Sequence, residues 1–306
     1  MLLVAIVGDH GSGKTTFLGL LYAALVRSGS GKEDTLRFRA AYESLDEITA
    51  LFQRLMSGGF PDSVTKEGIR GLHLELGFPR SKRGILPRLG SRKWTGGSAT
   101  TIRFALPGDL DEAIPAFNEG STFGTGRWRD ALDADVVIFL ADSTKLAPKG
   151  EDSGSASMAT YDGQVEALLT AVRWWRARGG REVVHPIFVL SKFDSVTPAV
   201  LRAADVEPTP PDVSRSGPRA AYAKSLLEPN LPRTFAILQE ASKGKPRFAK
   251  PTFLFSSVHT EANAHGQLEK IKLRRTDGAG WEPEYSRDEY LALLECLAGV
   301  AAETKD

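Results

Sequence analysis

Short runs of uninterrupted apolar residues alternate with amphipathic stretches along this chain. Leu2–Val7 ("LLVAIV") has no polar position, the pattern of a strand covered on both faces. Behind it, Phe17, Leu20, Leu21, Tyr22 and Leu25 fall largely on one helical face. Leu45, Ile48, Phe52 and Leu55 recur at three, four and three and predict a helix over 42–56, which Gly58-Gly59 ends, with Pro61 beyond. "IRGLHLELGF" (69–78) reads as a strand and "TTIRFAL" (100–106) as its hairpin partner. Three further apolar runs, "DVVIFLA" (135–141), "PIFVL" (186–190) and "TFLF" (252–255), read as buried strands. A helix over 164–177 places Val165, Leu168, Leu169 and Val172 on its core face. Ser286-Arg287-Asp288-Glu289 opens a last helix over 287–298 as a capping box. Buried strands alternating with amphipathic helices predict an α/β fold, a mostly parallel central sheet with helices on both faces.

Three segments break the alternation. Residues 79–98 carry Arg80, Lys82, Arg83, Arg88, Arg92 and Lys93 and no acid; Gly150–Ser157 is a Gly/Ser-rich loop; and 195–218 is proline-rich, preceding two short helices at 219–227 and 233–241. No linker separates two complete cores, so the reading is a single domain over 1–306 with insertions at about 79–98 and 195–230. Trp174 lies opposite the apolar face that Trp175 extends. It is expected to pack beneath the 195–230 segment, or else against a partner.

Composition removes some classes of function. A net charge of +1 gives no overall attraction to nucleic acid or anionic membrane. The basic 79–98 stretch reads either as a solvated hairpin tip or as a phosphate contact, and Trp94 alone is too few aromatics for a stacking platform. The single cysteine, Cys296, leaves no internal disulfide framework and suits a reducing compartment. No apolar run reaches the roughly 18 residues of a spanning helix, and "MLLVAIV" lacks the basic start and cleavage site of a signal peptide. The expectation is a soluble, cytoplasmic protein.

Candidate chemistry begins where the first strand ends. Gly8-Asp9-His10-Gly11-Ser12-Gly13-Lys14-Thr15 fits G-x-x-x-x-G-K-[ST]. Glycines let the backbone turn its N–H groups inward around a phosphate chain, and the following helix adds its positive dipole end. In that setting Lys14 reaches the β- and γ-phosphates and the Thr15 hydroxyl binds Mg²⁺. The strand before and the amphipathic helix after make an unrelated glycine turn the weaker reading. A phosphate loop does not choose a base. After the fifth predicted strand comes Ser191-Lys192-Phe193-Asp194. A carboxylate there can accept from guanine N1–H and N2–H₂ together, a donor pair adenine lacks. The stem of Lys192 can lie along the base. Ser256-Ser257-Val258, after the next strand, offers a backbone N–H to guanine O6. Taken alone, Asp194 is also consistent with a turn cap.

The order of the glycine loop, a Thr-containing loop, "LPG", "SKFD" and "SSV" resembles the translation-factor-like class of P-loop GTPases. Within that class, "GDHGSGKTTFLGLLY" and "MSGGFPDSVT" are similar to the bacterial double-GTPase-related family, over about 1–258 apart from the insertions. The resemblance implies that Gly8, Gly13, Lys14 and Thr15 take the phosphates and magnesium. Asp9, His10, Gly11, Ser12 and Thr16 complete the loop. Ser191, Lys192, Asp194, Ser256, Ser257 and Val258 stand at the base. Thr65 would be the switch threonine that joins Thr15 on Mg²⁺ and takes part in catalysis; its other reading is an ordinary loop threonine.

The pattern also departs from the class. The usual D-x-x-G appears as Ala105-Leu106-Pro107-Gly108, without the carboxylate that supports a magnesium-bound water. Gly108 still offers an N–H to a γ-phosphate. Asp109 follows it, and three roles stay open: orienting the attacking water, partly replacing the lost metal contact, or capping a turn. His10 either obstructs an arginine supplied by another protein, contacts the phosphate itself, or faces solvent. The expectation is a guanine-nucleotide-binding protein that hydrolyses GTP to GDP slowly with Mg²⁺, as a regulatory switch whose protein partners meet the loop near Thr65. The rival is a hydrolysis-deficient scaffold that binds GTP and GDP, and an ATPase or small-molecule kinase is a third reading.

Overall fold

The computed structural model describes residues 1–28, 37–40, 45–61, 69, 71–77, 99–113, 126–148, 155–179, 182–240, 246–262, 268–276 and 280–303. Among them the chain is an α/β protein with a mostly parallel central sheet. The first elements are β1 (Leu2–Gly8), α1 (Lys14–Ser28), β2 (Arg37–Ala40), α2 (Leu45–Met56), β3 (Gly71–Gly77) and β4 (Ala99–Ala105). Next come α3 (Arg129–Leu132), β5 (Val136–Asp142), α4 (Ser155–Arg176), β6 (Val183–Ser191), α5 (Pro198–Ala203), α6 (Ser216–Leu227) and α7 (Pro232–Glu240). The chain continues through β7 (Arg247–Phe248), β8 (Thr252–Phe255), β9 (Thr260–Ala262), β10 (Leu268–Ile271), β11 (Leu273–Arg275), β12 (Trp281–Pro283) and α8 (Arg287–Glu303). Two compact units interleave along the sequence: Met1–Leu2 with Thr15–Phe104 and Thr260–Asp306, and Leu3–Lys14 with Ala105–His259. No helix among the described residues is long and apolar enough to cross a membrane.

In the first unit, β3 lies between β2, antiparallel to it, and β4. The predicted partnership of 69–78 with 100–106 is therefore found, while the basic stretch between them falls outside the described residues. Helix α2 buries Ile48, Leu51 and Leu55; Ile48 and Leu55 were read from the sequence, whereas Leu45 is exposed, Phe52 is half-buried and Leu51 takes the core position between them. The amides of Gly58 and Gly59 donate to Leu55 O and Arg54 O at its end, a helix-stop arrangement that glycine favours. Helix α8 runs five residues past the predicted end, to Glu303. Its Tyr290 ring meets Phe17 of α1 at 5.1 Å. The short antiparallel pairs β9/β10 and β11/β12 carried no sequence signal.

The second unit contains the parallel core. Strands β1, β5, β6 and β8 pair side by side, and the residues drawn together are those of the continuous apolar runs. Phe139, Phe188 and Phe253 are in register on β5, β6 and β8. Their rings stack at 5.1 and 6.0 Å, an aromatic ladder that fixes the alignment of three strands. With that register set, Gly8 pairs with Leu140, Asp142 with Ser191, and Leu190 with Phe255. Four strands thus end along one edge, where ligands of parallel α/β sheets bind.

Helix α4 begins at Ser155, nine residues before the predicted start, and burial of Met158 and Tyr161 in the core carries that extension. The predicted Gly/Ser loop therefore gives way to helix from 155 on. Residues 195–218 and the helices that follow also enter the core through Val200, Tyr222, Leu226 and Leu227. Trp174 corrects the expectation drawn from its position. It is 45% exposed, with the Arg178 guanidinium 3.4 Å from its ring centroid, so it is not buried beneath the 195–230 segment, and a cation just past the end of its own helix stacks on the ring.

Asp162 of α4 caps a different helix. Its carboxylate accepts from the backbone N–H groups of Arg233 and Thr234 at 3.0 and 2.9 Å, in the first turn of α7. Asp162 is 2% exposed and Thr234 fully buried, so water cannot replace the lost acceptor. Asp162→Ala is expected to cost about 2 kcal/mol, read as a lower urea midpoint with unchanged slope. An unchanged midpoint would show that the cap contributes nothing.

Candidate functional site

The loop from Gly8 to Lys14 leaves β1 at the shared strand edge. Ser12 N donates to Asp9 O at 3.1 Å, and Gly11 and Gly13 adopt φ of +74° and +92°, a left-handed region that side chains resist. A Cβ on Gly8 would stand 2.5 Å from Ser12 Oγ and 2.9 Å from Leu140 O of β5. The loop is thus folded tightly back on the sheet at Gly8. Ser191, at the end of β6, fixes it from the far side by donating to Ser12 O at 2.9 Å, with Ala141 O a second acceptor at 3.3 Å. A hydroxyl suffices for that bond.

Lys14 has all three ammonium donors engaged: Gly8 O at 3.0 Å, Asp9 O at 2.8 Å and Asp109 Oδ1 at 2.5 Å. Only 11% of its side chain is exposed. The other oxygen of Asp109 meets His10 Nδ1 at 2.9 Å. Burial raises the Asp109 carboxyl, but the hydrogen bond and charge of Lys14, and then His10, outweigh it and hold the group below its ordinary value. Asp109 therefore stands as an anion on the loop lysine. Its main-chain carbonyl also accepts from Glu112 N at 3.1 Å, so it shapes the turn as well. Two of the three roles left open for Asp109 required a water or a metal, and the direct pairing with Lys14 was not among them. His10 is 91% exposed yet tethered to this carboxylate. Across the loop, Lys145 Nζ pairs with Asp9 Oδ2 at 2.8 Å.

Gly108 precedes Asp109 with φ of +140°. A Cβ there would collide with Glu112 Oε2 at 2.5 Å and lie 3.5 Å from Arg127 Nη1. Glycine is favoured by the backbone angle, since the Glu112 carboxylate, at the end of a flexible, half-exposed side chain, can move aside. Ala105, at the end of β4, is 3% exposed.

The second cluster forms at the ends of β5, β6 and β8. Lys192 takes a left-handed conformation, φ 53° and ψ 38°, and its ammonium meets Asp142 Oδ2 at 2.6 Å. The other oxygen of Asp142 accepts from Thr144 N and Thr144 Oγ1 at 3.0 and 2.6 Å. Burial pushes the Asp142 carboxyl up, and Lys192 with Thr144 more than reverses this, leaving it lowered. Phe193 N donates to Ser256 O at 3.1 Å, and its ring lies 4.8 Å edge-on from Phe255. These contacts bring "SKFD" and the Ser256-Ser257-Val258 turn together. Asp194 is exposed, with Ser195 Oγ at 3.4 Å.

The structure therefore gathers Gly8–Lys14, Gly108 and Asp109 in one cluster, and Ser191, Lys192 and Ser256 in another, joined by the Ser191–Ser12 bond, while the Asp194 side chain is exposed beside Ser195. Thr15 and Thr16 follow in the first turn of α1, both half-buried. Thr65 lies outside the described residues. No group of three or more His, Cys, Asp and Glu side chains among the described residues forms a metal site. The oxygen chemistry on offer still fits magnesium, which favours waters and phosphate oxygens beside one or two protein donors, and Thr15 supplies a hydroxyl. Asp142, Lys145, Glu112 and Arg127 were not anticipated. Of these, only Asp142 carried a local signal, a carboxylate two residues before Thr144 at a strand end.

The fold and these clusters define an α/β protein with a glycine-rich loop, its lysine paired with a carboxylate, at the carboxyl edge of a parallel sheet. No protein-family model matches the chain, and no curated protein matches it.

Proposed function

We propose that this chain is a P-loop nucleotide-binding protein of the G-domain type that takes GTP and GDP and hydrolyses GTP slowly with Mg²⁺, as a switch. The observation that carries the reading is the carboxylate of Asp109 on Lys14 at 2.5 Å, inside a glycine loop. The lysine is engaged by two carbonyls and an anion, and a phosphate oxygen can replace that anion. Gly8–Thr16 would wrap the phosphates. Thr15, joined by Thr65, would hold Mg²⁺, whose contribution is to neutralise phosphate charge. Gly108 N–H would meet the γ-phosphate, and Asp194 with Ser256–Val258 would read guanine. The loop containing Thr65 is the surface for protein partners, and the cytoplasm is the fitting compartment for a chain with one cysteine.

Calorimetric titration of GTP, GDP and ATP with and without Mg²⁺, followed by single-turnover phosphate release, tests this reading. Micromolar or tighter GTP binding with weaker ATP binding supports it; equal affinities would remove guanine specificity. Buried Ala105 favours one second reading, a scaffold that binds without hydrolysing, which phosphate release separates from the first.

Asp109 makes a further expectation quantitative. A triphosphate must displace this carboxylate from Lys14, so Asp109→Asn removes a competing anion. The Kd of a non-hydrolysable GTP analogue is expected to fall about fivefold, the scale of one partly exposed charge pair. Weaker binding by the variant would show that Asp109 assists the nucleotide instead.

A further inference from the structure

We propose that Arg127 is a cation supplied from within this chain to the γ-phosphate, an inference that rests on the triphosphate reading of the loop. Its guanidinium Nη1 stands 3.5 Å from the position a Cβ would take on Gly108. Gly108 is joined directly to Asp109, whose carboxylate touches Lys14 Nζ. The arginine thus lies beside the residue that precedes Asp109 in the chain, and on the triphosphate reading Asp109 stands where a phosphate oxygen would.

Two features suit Arg127 to that task. Its backbone is anchored: Arg129 N donates to Gly126 O at 2.9 Å, and neighbouring Trp128 is 6% exposed in the core. Its side chain is held more loosely. The salt-bridge partner is Glu112 at 3.3 Å, with the two side chains 67% and 47% exposed, and pairs this exposed contribute little. The guanidinium can exchange that carboxylate for phosphoryl oxygens at small cost, while the main chain stays fixed. A need also exists, since Ala105 leaves the site short of the metal support a carboxylate would give.

In the reaction, the oxygen of water bonds to the γ-phosphorus as the bond from that phosphorus to the β–γ bridging oxygen breaks. GDP and inorganic phosphate result, with the water's proton released to solvent. Arg127 stays covalently unchanged and neutralises charge on the γ-phosphoryl and bridging oxygens.

The test is single-turnover GTP hydrolysis with enzyme in excess, for wild type, Arg127→Ala and Arg127→Lys, beside GDP affinities and thermal melts. Arg127→Ala is expected to lose about thirtyfold or more in rate, with GDP binding within about twofold of wild type, and Arg127→Lys to recover part of the rate. An unchanged rate in Arg127→Ala, a rate loss matched by equally weakened GDP binding, or a wild type that binds GTP without releasing phosphate would each overturn the assignment. The underlying reading fails differently, by the wild type showing no affinity for GTP at all.

Discussion

Lys14→Ala should weaken GTP and GDP binding by about a hundredfold to a thousandfold. The estimate follows from removing one member of a poorly solvated, hydrogen-bonded charge pair, at about 3–4 kcal/mol. Lys14 is 11% exposed and already satisfied by two loop carbonyls and Asp109. It is therefore preorganised at the loop and needs no ordering when phosphate arrives. ATP should lose affinity by the same factor, because the lysine reads phosphate and not base. Lys14→Arg keeps the charge but not the compact ammonium that fits between Gly8 O and Asp9 O. It should recover only part of the binding. Fluorescent GDP displacement gives the affinities, and a melt of the nucleotide-free protein separates binding from folding. Unchanged affinity in a folded Lys14→Ala would dismiss the loop as a phosphate site.

The strands that carry both clusters were legible because each is a continuous apolar run of the type a parallel sheet buries. β1, β5, β6 and β8 all lie where those runs predicted, and their ends place the loops. Helix α4 was half missed for a physical reason: Ser155-Ala156-Ser157 resembles a linker by propensity, and burial of Met158 and Tyr161 overrides it. β9 and β11 span three residues each, with mostly exposed side chains. Such strands leave no periodicity to read. In the site, the type of each loop residue was readable but its partner was not. Lys14 meets Asp109 across 95 positions, Lys145 meets Asp9 across 136, and Lys192 meets Asp142 across 50. Charge pairing at that separation is set by strand register, which local pattern does not encode.

Asp194→Ala should raise the Kd for GTP by about fivefold to a hundredfold and leave ATP within about twofold, so that the preference between them collapses. Guanine presents N1–H and N2–H₂ to one carboxylate, and losing the acceptor leaves two donors to be solvated or stranded, at about 1–3 kcal/mol in all for partly exposed groups. The turn geometry should survive, because it rests on Phe193 N to Ser256 O and on Phe193 against Phe255 rather than on the Asp194 side chain. Asp194→Asn sharpens the test. The amide places an N–H donor where the carboxylate accepted, so guanine now faces a donor opposite its own. Xanthine carries a carbonyl at C2 in place of the amino group, and the variant should bind xanthosine triphosphate better than wild type does. Competition titrations of GTP, ATP and xanthosine triphosphate against wild type and both variants give all the comparisons. If GTP affinity survives both substitutions, the base is read elsewhere or not at all, and the exposed carboxylate of Asp194 is only a turn residue beside Ser195.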